Sequence, residues 1–151
     1  MKIEDAIKST SELSAIKKTI LNIMYTQNVL AESFNEVLKP FDLSAEQFNV
    51  LRILRGQKGT PAHMGMIQER MIAKTSNTTR LVDKLLSKDL LTRKICPGNR
   101  RMMEIEITQK GLDLLKELDP QVETHDRQYA QNLTPTELEE LNTLLEKYRT
   151  I

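Results

Sequence analysis

The stretch from Ser11 to Lys39 constrains this chain more than any other. Leu13, Ile16, Ile20, Met24, Ala31, Phe34 and Leu38 keep close to helical spacing until Pro40, which cannot continue a helix, stops them. At 1.5 Å per residue the helix is roughly 40 Å long. A chain of 151 residues builds one ordinary domain, and a helix of that length outruns the body it belongs to. Its apolar stripe is therefore expected to meet another chain.

Shorter elements follow. Ser44-Ala45-Glu46-Gln47 reads as a capping box, in which the Ser hydroxyl and Gln amide satisfy orphan backbone groups at a helix start. Phe48, Leu51 and Leu54 form the buried face of that helix, and Gly56 ends it. A turn at Gln57–Pro61, with its proline suited to a helix entrance, leads to a short helix from Met64 to Met71. Another helix is predicted from Lys74 or Thr75 to Ser87, with Leu81, Val82, Leu85 and Leu86 on one side. Thr92–Cys96, a turn at Pro97–Arg100 and Met102–Ile107 then make a β-hairpin. Met103, Ile105 and Ile107 alternate there with Glu104 and Glu106. Helical spacing returns at Thr108 and runs to Tyr129 with a kink or break expected at Pro120. Thr134, Pro135 and Glu137 start a last helix that carries Leu138, Leu141, Leu144 and Leu145 to Tyr148. The fold class is thus mainly α with a small β-hairpin.

Charge is distributed unevenly along this order. Arg52 to Lys110 holds 13 Lys/Arg against 5 Asp/Glu, while the remainder holds 9 against 16. A basic middle between acidic ends suits a polyanion-binding unit flanked by segments with a different task. No apolar run approaches the roughly 20 residues of a membrane helix, no secretory signal is visible, and the single Cys96 excludes an intrachain disulfide. A cytoplasmic protein without membrane contact is expected.

Two short helices, a turn and a basic hairpin form a winged helix-turn-helix pattern, whose second helix can enter a major groove. Opposite the core side of that helix lie Ser76, Asn77, Thr79, Arg80, Asp83, Lys84 and Ser87. Arg80 suits a guanine edge, Asn77 an adenine edge, and Ser76 or Thr79 a base or phosphate. Lys74, Thr75 and the helix's N-terminal amides are placed for phosphate. Asp83 opposes such a role unless Arg80 or Lys84 pairs with it. Arg93, Lys94, Arg100 and Arg101 gather four cations on the hairpin, where a narrow minor groove attracts an inserted arginine. Double-stranded DNA is the expected partner, and a solvated helix face is the plainer alternative.

The hairpin also carries a family signature. Asn99-Arg100-Arg101, five residues, then Ile107-Thr108-Gln109-Lys110-Gly111 keeps the spacing of the wing motif Asp-x-Arg, five residues, Leu-Thr-x-x-Gly. Phe48–Leu54, Arg80–Leu85 and Lys88–Leu91 match further segments, and the chain resembles the MarR family of bacterial transcription regulators. The resemblance implies a winged helix-turn-helix region at 43–111, with dimerisation helices from 1–42 and 112–151. It also implies a pseudo-palindromic operator, release by a small-molecule effector, and Arg101 as the minor-groove arginine. Asn99 replaces the usual aspartate, so it can hydrogen-bond but cannot form that residue's ion pair. Ile72 stands where the turn often has glycine, which points to a wider turn.

Other residues are candidates for chemistry. Cys96, beside Lys94 and near Arg101, is a candidate stabilised thiolate and redox switch, with a packed thiol as the alternative. His63, at the start of the third helix, is placed to touch phosphate. His125-Asp126 is a candidate for a metal site at a dimer interface, with a surface histidine the more ordinary reading. Met64, Met66, Met71, Met102 and Met103 suit core filling or an adaptable pocket. No cofactor, metal or catalytic constellation is expected. The rival functions are a redox-switched regulator using Cys96 and a helical adaptor that keeps the fold without DNA.

Overall fold

The computed structural model describes residues 1–150. Its order is α1 (Ile3–Ala6), α2 (Ala15–Leu38), a 3₁₀ turn at Lys39–Phe41, α3 (Ala45–Gly56), α4 (Met64–Arg70) and α5 (Thr78–Ser87). The strands β1 (Leu91–Cys96) and β2 (Asn99–Ile107) follow, then α6 (Gln109–Ala130) and α7 (Pro135–Tyr148). The predicted first helix is shorter at its N-terminus because the Ser14 hydroxyl accepts from the Lys17 N–H and caps it there. Ahead of it, α1 was not foreseen; it buries Ile3 and ties Glu4 to Lys18 at 2.8 Å. Both capping boxes form, at Ser44/Gln47 and Thr134/Glu137. The Thr134 amide and hydroxyl hold the Glu137 carboxyl below its ordinary pKa.

One core joins the elements. Leu38, Phe48, Val50, Leu51 and Leu54 meet Ile67, Met71, Val82, Leu85 and Leu91, and Leu115 and Leu118 seal it from α6. Pro120 does not break α6, which runs unbroken from Gln109 to Ala130. A proline forfeits one backbone hydrogen bond, and Leu115, Leu118 and Val122 hold the turns on either side against the core.

The ends of the chain are packed differently. Although α7 has an apolar side, it buries no residue: Leu141, Leu144 and Tyr148 are exposed by 43%, 56% and 48%. On α2, Ile16, Ile20 and Met24 repeat every four residues and are also exposed. An apolar groove between these helices, lined by Ile23, Leu141, Leu144, Leu145 and Tyr148, lies open. No helix among the described residues is long and apolar enough to cross a membrane.

Candidate nucleic-acid interface

The reading helix begins later than its sequence suggests. Asn77 is the N-cap, with its side-chain oxygen accepting from the Arg80 N–H at 3.1 Å, so α5 starts at Thr78. Lys74, Thr75 and Ser76 therefore lie in the turn before the helix and not on its face. The Ser76 hydroxyl donates to the Ala73 carbonyl at 2.7 Å, and the Lys74 ammonium donates to the Glu69 carbonyl. The amide N–H₂ of Asn77 is left for another partner. The face turned outward from α5 is Thr79, Arg80, Asp83, Lys84 and Ser87, all exposed. Thr78 is buried and donates to Gln68 of α4, which fixes the two helices of the motif against each other.

The connection between α4 and α5 runs from Met71 to Asn77, wide for such a turn. Ile72 projects from it at 81% exposure, its N–H held by the Asn49 side chain at 2.9 Å.

Asp83 pairs with neither Arg80 nor Lys84. Its carboxylate meets Arg93 of β1 at 2.5 Å, across ten residues, because β1 returns alongside α5. That pair removes the carboxylate's repulsion for phosphate and also takes Arg93 out of the set of free cations. Lys94, Arg100 and Arg101 remain exposed.

The hairpin turn is tighter than expected. Cys96 pairs with Asn99, leaving only Pro97 and Gly98 between the strands. Proline followed by Gly98 at φ +85° is the residue order of a type II turn. Between Ile95 and Cys96 the register slips, since Ile95 faces Met103 and Cys96 faces Asn99. Arg100, Arg101 and Met102 thus have no cross-strand partner and bulge from the tip, which displays both arginines. Asn99 contributes what an amide can: its oxygen accepts from the Arg101 N–H at 3.1 Å.

A third strand position escaped the sequence reading. Ala62, fully buried, exchanges both backbone hydrogen bonds with Ile105, at 2.9 and 2.8 Å. Pro61 therefore precedes a bridge and does not open α4. His63, the N-cap residue of α4, has Nδ1 3.3 Å from the Met103 carbonyl and so meets the hairpin.

The environment of Cys96 runs against an activated thiolate. Partial burial pushes its pKa up, and the Glu104 carboxylate, 3.6 Å from Sγ, adds to the rise. Lys94 sits opposite Glu104 in the register and does not reverse this. Alkylation of Cys96 by iodoacetamide should be slower than that of free cysteine at neutral pH, with its pH midpoint displaced upward. Glu104→Gln should bring that midpoint back down; a wild-type midpoint below free cysteine would contradict the assignment.

His125 is not a surface residue. It is 7% exposed and lies between Phe34 and Tyr129, with ring centroids at 5.3 and 5.1 Å. No group of three metal-ligating side chains occurs among the described residues.

A helix pair packed at a fixed angle, an outward polar face on the second helix and a cationic hairpin bridged back to the first define a winged helix-turn-helix module. The profile of the MarR family matches residues 43–103. A MarR transcription factor from Planctomyces limnophilus is 32% identical, with a TM-score of 0.70 over 90% of this chain and 98% of that one. This chain belongs to the MarR family of transcriptional regulators.

The HTH-type transcriptional regulator MhqR of Bacillus subtilis is 32% identical over 89 residues, which span 59% of this chain and 60% of MhqR. A mutant MarR from Escherichia coli complexed with operator DNA shares the fold at 24% identity, with a TM-score of 0.79 over 92% and 99% of the two chains.

Proposed function

We propose that the protein is a sequence-specific, homodimeric DNA-binding repressor whose operator is a pseudo-palindrome and whose grip is released by a small-molecule effector. The observation that carries this reading is the exposure of Thr79, Arg80 and Lys84 on α5, which the Asp83–Arg93 pair sets beside a hairpin whose bulged tip exposes Arg100 and Arg101. The helix supplies groove-reading donors, and the tip supplies cations for the minor groove beside it. The fold it shares with a regulator captured on operator DNA supports the same reading. Lys74 and Thr75, exposed just before α5, are suited to backbone phosphate.

Dimerisation is proposed through the apolar faces of α2 and α7, with 1–42 and 112–151 as the assembling region and 43–111 as the reading head. Two heads set roughly 34 Å apart would meet successive turns of one duplex face. Leu141→Glu combined with Leu144→Glu places carboxylates where apolar surface is expected to close, at a cost of several kcal/mol. Sedimentation should show a dimer for the wild type and a monomer for the double variant. A wild-type monomer at micromolar concentration would overturn the arrangement.

Selection of bound duplexes from a random pool tests the function itself. The expected product is an inverted repeat whose affinity falls steeply with salt, because phosphate contacts release counterions. Recovery of no enriched sequence and no salt dependence would favour the adaptor without DNA.

A further inference from the structure

The first residue of the reading helix has half of its side-chain hydrogen bonding already spent. Asn77 is the N-cap of α5, and its side-chain oxygen takes the Arg80 N–H at 3.1 Å. Only the oxygen can face that N–H, because an amide N–H₂ has no lone pair to offer it. The cap therefore fixes which way round the amide lies, with the oxygen committed to the helix backbone and the N–H₂ free of that bond. Asn77 is exposed, so its two amide hydrogens are open to a partner from outside.

Asparagine recognises adenine through a two-sided bond, its oxygen accepting from N6 while its N–H₂ donates to N7. With the oxygen committed, the first half of that pair is missing, and the adenine N6 amino group would meet hydrogens with hydrogens. Guanine offers the opposite edge, where O6 and N7 both accept. Neighbours on the same face lean the same way. The Arg80 guanidinium and the Lys84 ammonium, both exposed, hold donors only, and Asp83 spends Oδ1 on Arg93. Thr79, exposed as well, can donate or accept and adds no preference.

We infer that Asn77 selects guanine over adenine in the operator half-site, donating to O6 or N7 from an amide whose oxygen the helix cap holds. The inference rests on the reading of α5 as the helix that enters the major groove. It reverses the preference for an adenine edge that asparagine suggests from sequence, and the cap is the reason.

Duplex selection with the full-length protein and with Asn77→Asp tests it. Aspartate caps a helix about as well as asparagine, but its carboxylate has no hydrogen to donate. The added charge weakens binding to every duplex, so the readout is the ratio of affinities for guanine and adenine at one position. The wild type should favour guanine there by roughly two- to tenfold, the worth of one hydrogen bond. Asn77→Asp should lose that preference while the other positions keep theirs. A guanine analogue with carbon in place of N7 should weaken wild-type binding several-fold and affect Asn77→Asp far less. Asn77→Ala, which has no oxygen for the cap, should melt below the wild type, whereas Asn77→Asp and Asn77→Ser should not. Equal melting of Asn77→Ala and wild type would mean that the oxygen is uncommitted and would overturn the inference. Adenine at the position that Asn77→Asp alters, or base ratios unchanged in that variant, would overturn the role of Asn77 and leave DNA binding by α5 standing. A wild type that enriches no duplex would sink that broader reading, and the inference with it.

Discussion

Gly111→Ala is expected to destabilise the protein by the upper part of about 1–3 kcal/mol, the range for overpacking a closed site. A β-carbon at Gly111 would stand 2.4 Å from the Leu90 carbonyl oxygen and 2.7 Å from Ile107 Cγ1. The first of these is backbone and already accepts the Thr108 N–H at 3.1 Å. Thr108 caps α6 by accepting from the Gly111 N–H at 3.0 Å, while its hydroxyl donates to the Asp89 carbonyl at 2.7 Å. The end of the hairpin, the start of α6 and the residues after α5 are thus drawn into one knot, and none can move without the others. The glycine that ends the wing motif is required for space. Thermal melting at fixed protein concentration checks this, with a drop of roughly 2–4 °C per kcal/mol for a chain of this size. Gly65→Ala is the control: it lies exposed in α4 with nothing within 4 Å of the new methyl, so it should be neutral or slightly stabilising. Equal melting of the two variants would mean the knot yields more easily than its distances indicate.

Arg101→Ala should weaken binding to the selected operator by about 1–3 kcal/mol, roughly 5- to 150-fold. Arg101 is exposed on the bulge, is tied only through its backbone to Asn99, and so presents its guanidinium outward. Arg93→Ala provides the contrast. Its guanidinium is engaged with Asp83, so its loss should uncover that carboxylate at the interface, and adding Asp83→Ala should restore part of the affinity, whereas Asp83→Ala should not rescue Arg101→Ala in this way. Gel-shift titrations over a salt series separate the cases. Unchanged operator affinity in Arg101→Ala would remove the wing from the interface.

Much of this was legible in the chain, for reasons that differ from element to element. Capping boxes at Ser44 and Thr134 are local chemistry, and they form where the residues say. The amphipathic spacing of α3, α6 and α7 depends only on a 3.6-residue period. The start of α5 did not follow from spacing, because Ser76, Asn77 and Thr79 are all polar and a cap at Asn77 looks from sequence like one more helical residue. The apolar run through Pro120 outweighed a single missing N–H. Asp83–Arg93, Ala62–Ile105 and the burial of His125 all depend on which elements return beside one another. The repeat of Phe34, His125 and Tyr129 as partners required α2 and α6 to be seen packed together. For Asp83, a cation ten residues away with a helix end and a strand start between them was the signal available.

The Ala62–Ile105 bridge bears on how such a molecule can be switched. It fastens the body of the hairpin to the loop entering α4, while the Asp83–Arg93 pair sets it beside α5, so the paired strands and the recognition helix share one frame and only the bulged tip extends beyond it. Under the proposed release by an effector, the expected movement is a tilt of that frame about the long helices that carry it.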